Sequence, residues 1–203
     1  MIAPGEVHIS VHIGKLKGLR SISTYPYCYD INTNRKGRPN EGLVCYHCYA
    51  HRYLQFRKKL KACLLHNSEV LGKALKPVQI PLTSNDRFFR FESFGDVRGT
   101  VYLDNYCKIA EANPWTTFAL WSKRYKLCDG YFDKHKKPKN LILIYSSAYV
   151  GVELRYHGRH NDKVFTVFPK DYVGPEINCG NKCIDCLLCY TKNKVRYIGE
   201  HLK

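Results

Sequence analysis

Between residues 87 and 170 the apolar pattern keeps changing period, and few folds accommodate such a chain. "RFFRFESFGD" (87–96) is a short β-rich run that ends in Gly-Asp. "YLDNYCKIAEANP" (102–114) has helical spacing and is stopped by Asn-Pro. "TTFALWSK" (116–123), "NLILIYSSA" (140–148) and "KVFTVFPK" (163–170) are strand runs, and "YKLCDGYFDKHKK" (125–137) reads as a helix between the first two. Strands spaced in this way, with helices between most of them, predict βαβ units and a parallel sheet. "LILIY" is apolar throughout, as befits a strand covered on both faces. Upstream, residues 46–66 predict one helix, with Leu54, Leu60, Leu64 and Leu65 on one side and an Arg/Lys block opposite. "SEVLGKAL" (68–75) predicts a second, opened by a Ser cap.

Ligands of α/β sheets bind beyond the C-terminal ends of the strands. Here those ends carry Glu92, Ser93 and Asp96, then Ser122, Lys123 and Arg124, then Ser146 and Ser147, then Lys170. Polar residues at four successive strand ends form a candidate binding rim, with ordinary loop polarity as the alternative. Asp96 and Glu92 suit a cofactor's ammonium or hydroxyl groups. Lys123 and Arg124 suit a carboxylate or phosphate.

The ten cysteines narrow the chemistry. Cys179, Cys183, Cys186 and Cys189 follow a C-x3-C-x2-C-x2-C pattern, in which all four can converge on one point. Zinc sites usually separate two cysteine pairs by a dozen or more residues. A compact run resembles iron–sulfur ligation more closely, and zinc is the alternative. A second group is Cys28 with Cys45 and Cys48, the last two as C-x2-C. Three cysteines leave one position open for a substrate or cofactor, unless His47 or His51 fills it and makes the site structural. Cys63, Cys107 and Cys128 stand alone in amphipathic stretches and read as small core residues. Thiols so numerous in a chain without a charged-then-apolar leader predict a reducing, cytoplasmic setting. No apolar run is long enough to predict a membrane partner.

The net charge is +16 and there are 16 Tyr residues. Cations release counterions from phosphates and rings stack on bases, so nucleic acid is a candidate partner, although the charge is spread along the chain. The 203 residues suit a core over 1–175 with a cysteine-rich tail over 176–203.

In order, the chain shows a cysteine loop ending in "CYA", the strand "FRFESFGD", a helix, "FALWSKR", "LILIYSSA" and a four-cysteine tail. This arrangement, from about Gly14 to Lys203, resembles the phage family named for gene product eighty-eight. Its motifs are similar to those of shortened radical S-adenosylmethionine (SAM) enzymes. That resemblance implies a partial (β/α) barrel-like parallel sheet, and host cytoplasm as the location. It implies Cys28, Cys45 and Cys48 as ligands of a 4Fe-4S cluster whose free iron SAM chelates. Tyr46 or His47 would be the aromatic residue before the last of these cysteines. It places cofactor contacts at Glu92, Ser93, Gly95 and Asp96, with Ser122 and Ser146 on the same rim. Asp96 and Lys123 become the candidate catalytic pair, the tail cysteines an auxiliary cluster, and an electron donor a required partner. Three features depart from that pattern, the first being a count of five or six strands, short even for a partial barrel. Sixteen residues separate Cys28 from Cys45, and no Gly-Gly-Glu-Pro-type motif is present. The expectations therefore divide into a minimal iron–sulfur enzyme acting on or near nucleic acid or nucleotides, and a non-enzymatic, metal-stapled protein that binds nucleic acid or a host protein.

Overall fold

The computed structural model describes residues 5–26, 42–83, 85–151, 158–180 and 182–202, with His51 through its backbone only. One mixed α/β sheet of seven strands organises them: β1 (Ser10–Val11), β2 (Arg20–Ile22), β3 (Phe88–Phe91), β4 (Thr117–Ser122), β5 (Leu141–Val150), β6 (Lys163–Phe168) and β7 (Tyr197–His201). Their spatial order is their sequence order. β1 runs antiparallel to β2, and every later pair is parallel. A parallel sheet in unbroken order is the pattern of a partial (β/α) barrel, and here it stays open.

Among the described residues there are five helices: α1 (Tyr49–Phe56), α2 (Lys58–Leu71), α3 (Thr100–Ala112), α4 (Tyr125–Phe132) and α5 (Cys183–Cys186). α2, α3 and α4 cover one face. Leu71, Leu103, Tyr106, Ile109 and Phe132 pack there on Phe89, Phe91, Phe118, Leu120, Leu141 and Leu143. Phe91 stacks on Tyr106 and on Phe118, with ring centroids 4.4 and 4.9 Å apart. Strand side chains alternate, so the opposite set points to the other face. Phe88, Ala119, Trp121, Ile142 and Ile144 are covered there by Leu187, Leu188, Cys189 and Tyr190, with Leu19 alongside. The cysteine-rich tail is therefore the second cover of the sheet and also supplies its last strand, β7.

The helices differ from the predicted ones at three places, one of them the helix expected over 125–137, which ends at Phe132. The helix predicted over 46–66 is broken at Arg57, whose φ and ψ of −102° and 75° are non-helical. Ser68 opens no new helix. It lies inside α2, where its hydroxyl donates to the Leu64 carbonyl and accepts from the Tyr25 N–H. The β5 strand runs two residues past its predicted end, and Ser146 and Ser147 lie within it, beside a shift of register.

Residues 177–179 line the outer side of β7. Asn178 donates through Nδ2 to the Tyr197 carbonyl and accepts the Gly199 N–H at Oδ1. A Cβ on Gly199 would stand 2.3 Å from the Glu176 carbonyl oxygen. Gly199→Ala should destabilise the fold by about 1–3 kcal/mol through this overpacking. Gly130→Ala, in open space on α4, should be neutral or stabilise by up to about 1 kcal/mol. Urea denaturation of the two variants checks both outcomes.

Candidate functional site

The chain leaves β3 through Glu92, whose φ is +57°, a left-handed conformation that is costly for a side chain with a Cβ. The turn buries the Glu92 carboxylate. Its Oε2 accepts the Thr24 N–H at 2.9 Å, and its Oε1 accepts the Thr24 hydroxyl at 2.8 Å and the Tyr106 hydroxyl at 2.5 Å. Burial raises its pKa to about 7 against the pull of those donors. Gly95 closes over the same spot, where a Cβ would stand 2.3 Å from Thr24 Oγ1 and 2.6 Å from Glu92 Oε2. The Ser93 hydroxyl meets Ser23 at 2.7 Å. Glu92, Ser93 and Gly95 thus tie the ends of β2 and β3 together beneath the rim.

Asp96 stands beside them and faces β4. Its carboxylate accepts the Ser122 hydroxyl and the Val97 N–H at Oδ1, both at 2.7 Å, and the Lys123 N–H at Oδ2, at 3.0 Å. Lys123 Nζ donates to Ser146 Oγ at 3.2 Å. Asp96, Ser122, Lys123 and Ser146 therefore form one connected row across β3, β4 and β5. Arg124 turns aside and donates to the Val97 and Arg98 carbonyls. Lys170 is exposed, and Ser147 is occupied with the Tyr149 carbonyl.

The Cys45–Cys48 turn docks on the same rim. The Val44 N–H donates to the Ala148 carbonyl, and the Gly42 carbonyl accepts the Val150 N–H. Cys48 is the N-cap of α1. The next residue, Tyr49, donates its hydroxyl to the Ser93 carbonyl and packs on Phe94. Both cysteines are half-buried thiols outside any disulfide. Cys28 lies outside the described residues, as does the side chain of His51.

On the open face the tail folds back on itself. Cys183 and Cys186 share one side of α5, three residues apart. Leu187 then takes a left-handed φ of 53° and reverses the chain. That reversal returns Cys189 to the others: its thiol senses Cys179, Cys183 and Cys186 electrostatically. Burial pushes the thiols of Cys179, Cys183 and Cys189 up, and nearby cations oppose it. Lys15 is one of these, donating to Cys179 Sγ at 3.2 Å and pairing with Glu200 at 2.6 Å.

The other cation is Arg90, in the middle of β3. It lies deep in the molecule, facing Cys183, Cys189, Tyr190 and Tyr49, yet keeps some accessible surface. Its guanidinium stacks on Trp121, 3.9 Å from the ring centroid. Its Nε is sealed from solvent without a hydrogen-bond partner, as is the Tyr190 hydroxyl. Among the described residues no carboxylate reaches ion-pairing distance of Arg90. His12 is nearby, bonded to Ser21 at 2.7 Å, and burial with the Arg90 charge lowers its pKa to about 4. Tyr49 and Arg90 thus join the two cysteine groups through the sheet.

As the side chains stand, no three His, Cys, Asp or Glu groups among the described residues are arranged to hold a metal ion. The donor chemistry of the tail nevertheless fits a thiolate-bound centre: four thiols on one face, with two cations against them and one cation lacking a counter-ion. Sequence spacing singled out the thiols and missed Arg90, Tyr49, Lys15 and His12. One signal was available, the single charge within "FFRF".

Glu92 generates a prediction with a definite sign. Its pKa in the fold lies above the ordinary 4.5, so its contribution to stability is fully present below pH 4.5 and is lost as pH rises towards about 7. The loss is on the order of 3 kcal/mol. Glu92→Gln should flatten that part of the stability–pH curve, measured by denaturation from pH 4 to 8, whatever its absolute stability.

A family model described as Gene product 88 matches residues 26–197. The match takes in both cysteine groups, the rim and all the strands from β3 to β6. No curated protein and no solved structure matches the chain. Most of its length, the described cysteine sites included, thus lies within one family: the chain belongs to the Gene product 88 family.

Proposed function

We propose that this chain is an iron–sulfur protein whose cysteines Cys179, Cys183, Cys186 and Cys189 hold a cluster on the open face of the sheet. The observation that carries this reading is Arg90. A guanidinium stays charged at any accessible pH, and placing one deep in a protein without an anion costs several kcal/mol. Tyr49 and Tyr190, which it faces, are phenols that burial makes harder to ionise. Cys183 and Cys189 become anionic when a metal binds them. A cluster on four thiolates carries net negative charge, which Arg90 and Lys15 would balance. The compact spacing of the four thiols favours a cluster over a single zinc ion.

The finer part of the reading concerns the rim. Cys45 and Cys48, with Cys28, would hold a second 4Fe-4S centre beside Asp96, Ser122, Lys123 and Ser146, as in radical SAM enzymes. There a cluster supplies an electron for the reductive cleavage of SAM, and an electron-donor partner restores it. The chain's own residues have plainer roles. Asp96 fixes the ends of β3 and β4 through three donors. Lys123, half-buried and held by Ser146, would present its ammonium to a carboxylate. Glu92, Ser93 and Gly95 keep the floor beneath them rigid. The Leu187, Tyr190 and Trp121 side chains keep water from the tail centre.

Anaerobic purification or reconstitution tests the proposal. The expected product is brown, with roughly four irons for each filled centre. Cys186→Ala should remove the tail's share of iron and visible absorption, whereas Cys63→Ala should leave both unchanged. A visible spectrum that responds to SAM, and stops responding in Cys45→Ala, would support the rim reading. A colourless protein holding zinc would overturn the iron–sulfur reading.

Arg90→Leu gives a second check. It should be neutral or stabilising in cluster-free protein, where it removes an uncompensated charge. In loaded protein it should lower the reduction potential and speed cluster loss, measured by anaerobic voltammetry and by bleaching of the visible absorption.

A further inference from the structure

The two helices after the Cys45–Cys48 turn contain no acidic residue from Gly42 to Ser68. They carry Arg52, Arg57, Lys58, Lys59 and Lys61 within ten positions. The break at Arg57 makes an elbow there, and residues 55–59 are all exposed. Phe56 stands at this elbow with 79% of its surface open. Its exposed neighbours in the chain, Gln55, Arg57, Lys58 and Lys59, are all polar or charged.

The cations sit where helix stability alone would not put them. Arg57 is the N-cap of α2, and Lys58 and Lys59 fill its first turn, at the positive end of the helix dipole, without an acidic residue. Among the described residues, none of Arg52, Arg57, Lys58 and Lys59 forms an ion pair. Two are held in place instead. The Arg57 and Arg52 guanidinium groups lie 4.6 and 5.9 Å from the centroid of the Tyr53 ring.

We infer that this elbow binds single-stranded nucleic acid, with phosphates on Arg52, Arg57, Lys58 and Lys59 and a base stacked on Phe56. Charge complementarity identifies a polyanion. The exposed ring identifies a single strand, because a duplex keeps its base faces covered. One ring among charges is too small an apolar area for a membrane or an apolar protein partner. The elbow begins one helix after Cys48, so a bound strand would lie close to the strand-end rim. The inference does not depend on either metal centre.

Fluorescence anisotropy of the full chain with a labelled oligo-dT strand, titrated with salt, tests it. Wild-type protein should bind, with affinity falling linearly on a log–log salt plot. Lys58→Ala with Lys59→Ala should reduce the slope by about 1.4, at about 0.7 for each lost phosphate contact. Phe56→Ala should weaken binding about tenfold or more at unchanged slope. Lys134→Ala with Lys136→Ala, exposed elsewhere on the surface, should change neither. Circular dichroism should show all variants folded, since the altered side chains are exposed. The inference is overturned by no binding, by equal loss in the Lys134/Lys136 pair, by an unchanged affinity in Phe56→Ala, or by preference for duplex or anionic vesicles over the single strand.

Discussion

A parallel sheet has to be covered on both faces, and everything distinctive about this molecule follows from how it meets that requirement. The strands follow one another across the sheet without reversal, and α2, α3 and α4 gather on a single face. The other face presents Phe88, Trp121, Ile142 and Ile144. Leaving such side chains in water forgoes about 1.5–3 kcal/mol each. The segment from Cys179 to Val195 provides the cover, although its described residues form only one short helix. Most of that segment cannot satisfy its shape through helical hydrogen bonds. It turns through a left-handed Leu187 and is held by the side chains it lays down, the cysteines among them. The element that completes the core is therefore also the element that concentrates sulfur.

The charges on that face then make sense as a group. Arg90 replaces what would be one more apolar residue of β3, and it faces thiols where a carboxylate would normally stand. Lys15 approaches from the segment before β2, and Glu200 from β7. These three residues come from the beginning, middle and end of the described chain. Their meeting point depends on the correct pairing of every strand from β2 to β7, so the electrostatic environment of the tail exists only in the finished sheet. Tyr49 extends the same neighbourhood to the Cys45–Cys48 turn, and the two cysteine groups share one electrostatic surrounding despite their distance in sequence.

Much of the architecture was legible in the sequence. The alternation of "FFRF", "TFALWS", "LILIY" and "KVFTVF" with amphipathic segments marked β3 to β6 and the intervening α3 and α4, because strands buried on both faces must be apolar throughout. β2 and β7 were not legible. "RSI" is too short to show a period, and "YIGEH" has a glycine and two polar residues where a strand signal should be. The break at Arg57 also escaped, since the apolar stripe of 46–66 continues across it. At the rim, strand-end position singled out Asp96, Ser122, Lys123 and Ser146 together with Glu92 and could not show that Glu92 points below. That direction rests on a left-handed backbone at a residue other than glycine, which leaves no compositional trace.

The margins of the sheet carry a last consequence. At one side β1 contributes only two residues. At the other, Asn178 fills two ladder positions of β7 with its side-chain amide, and Gly199 lets the backbone of Glu176 press against the strand. Open strand borders invite foreign strands and fibrous growth. Here one border is too brief and the other already occupied, so lateral β-association is suppressed and encounters with other molecules are directed to the helices and loops.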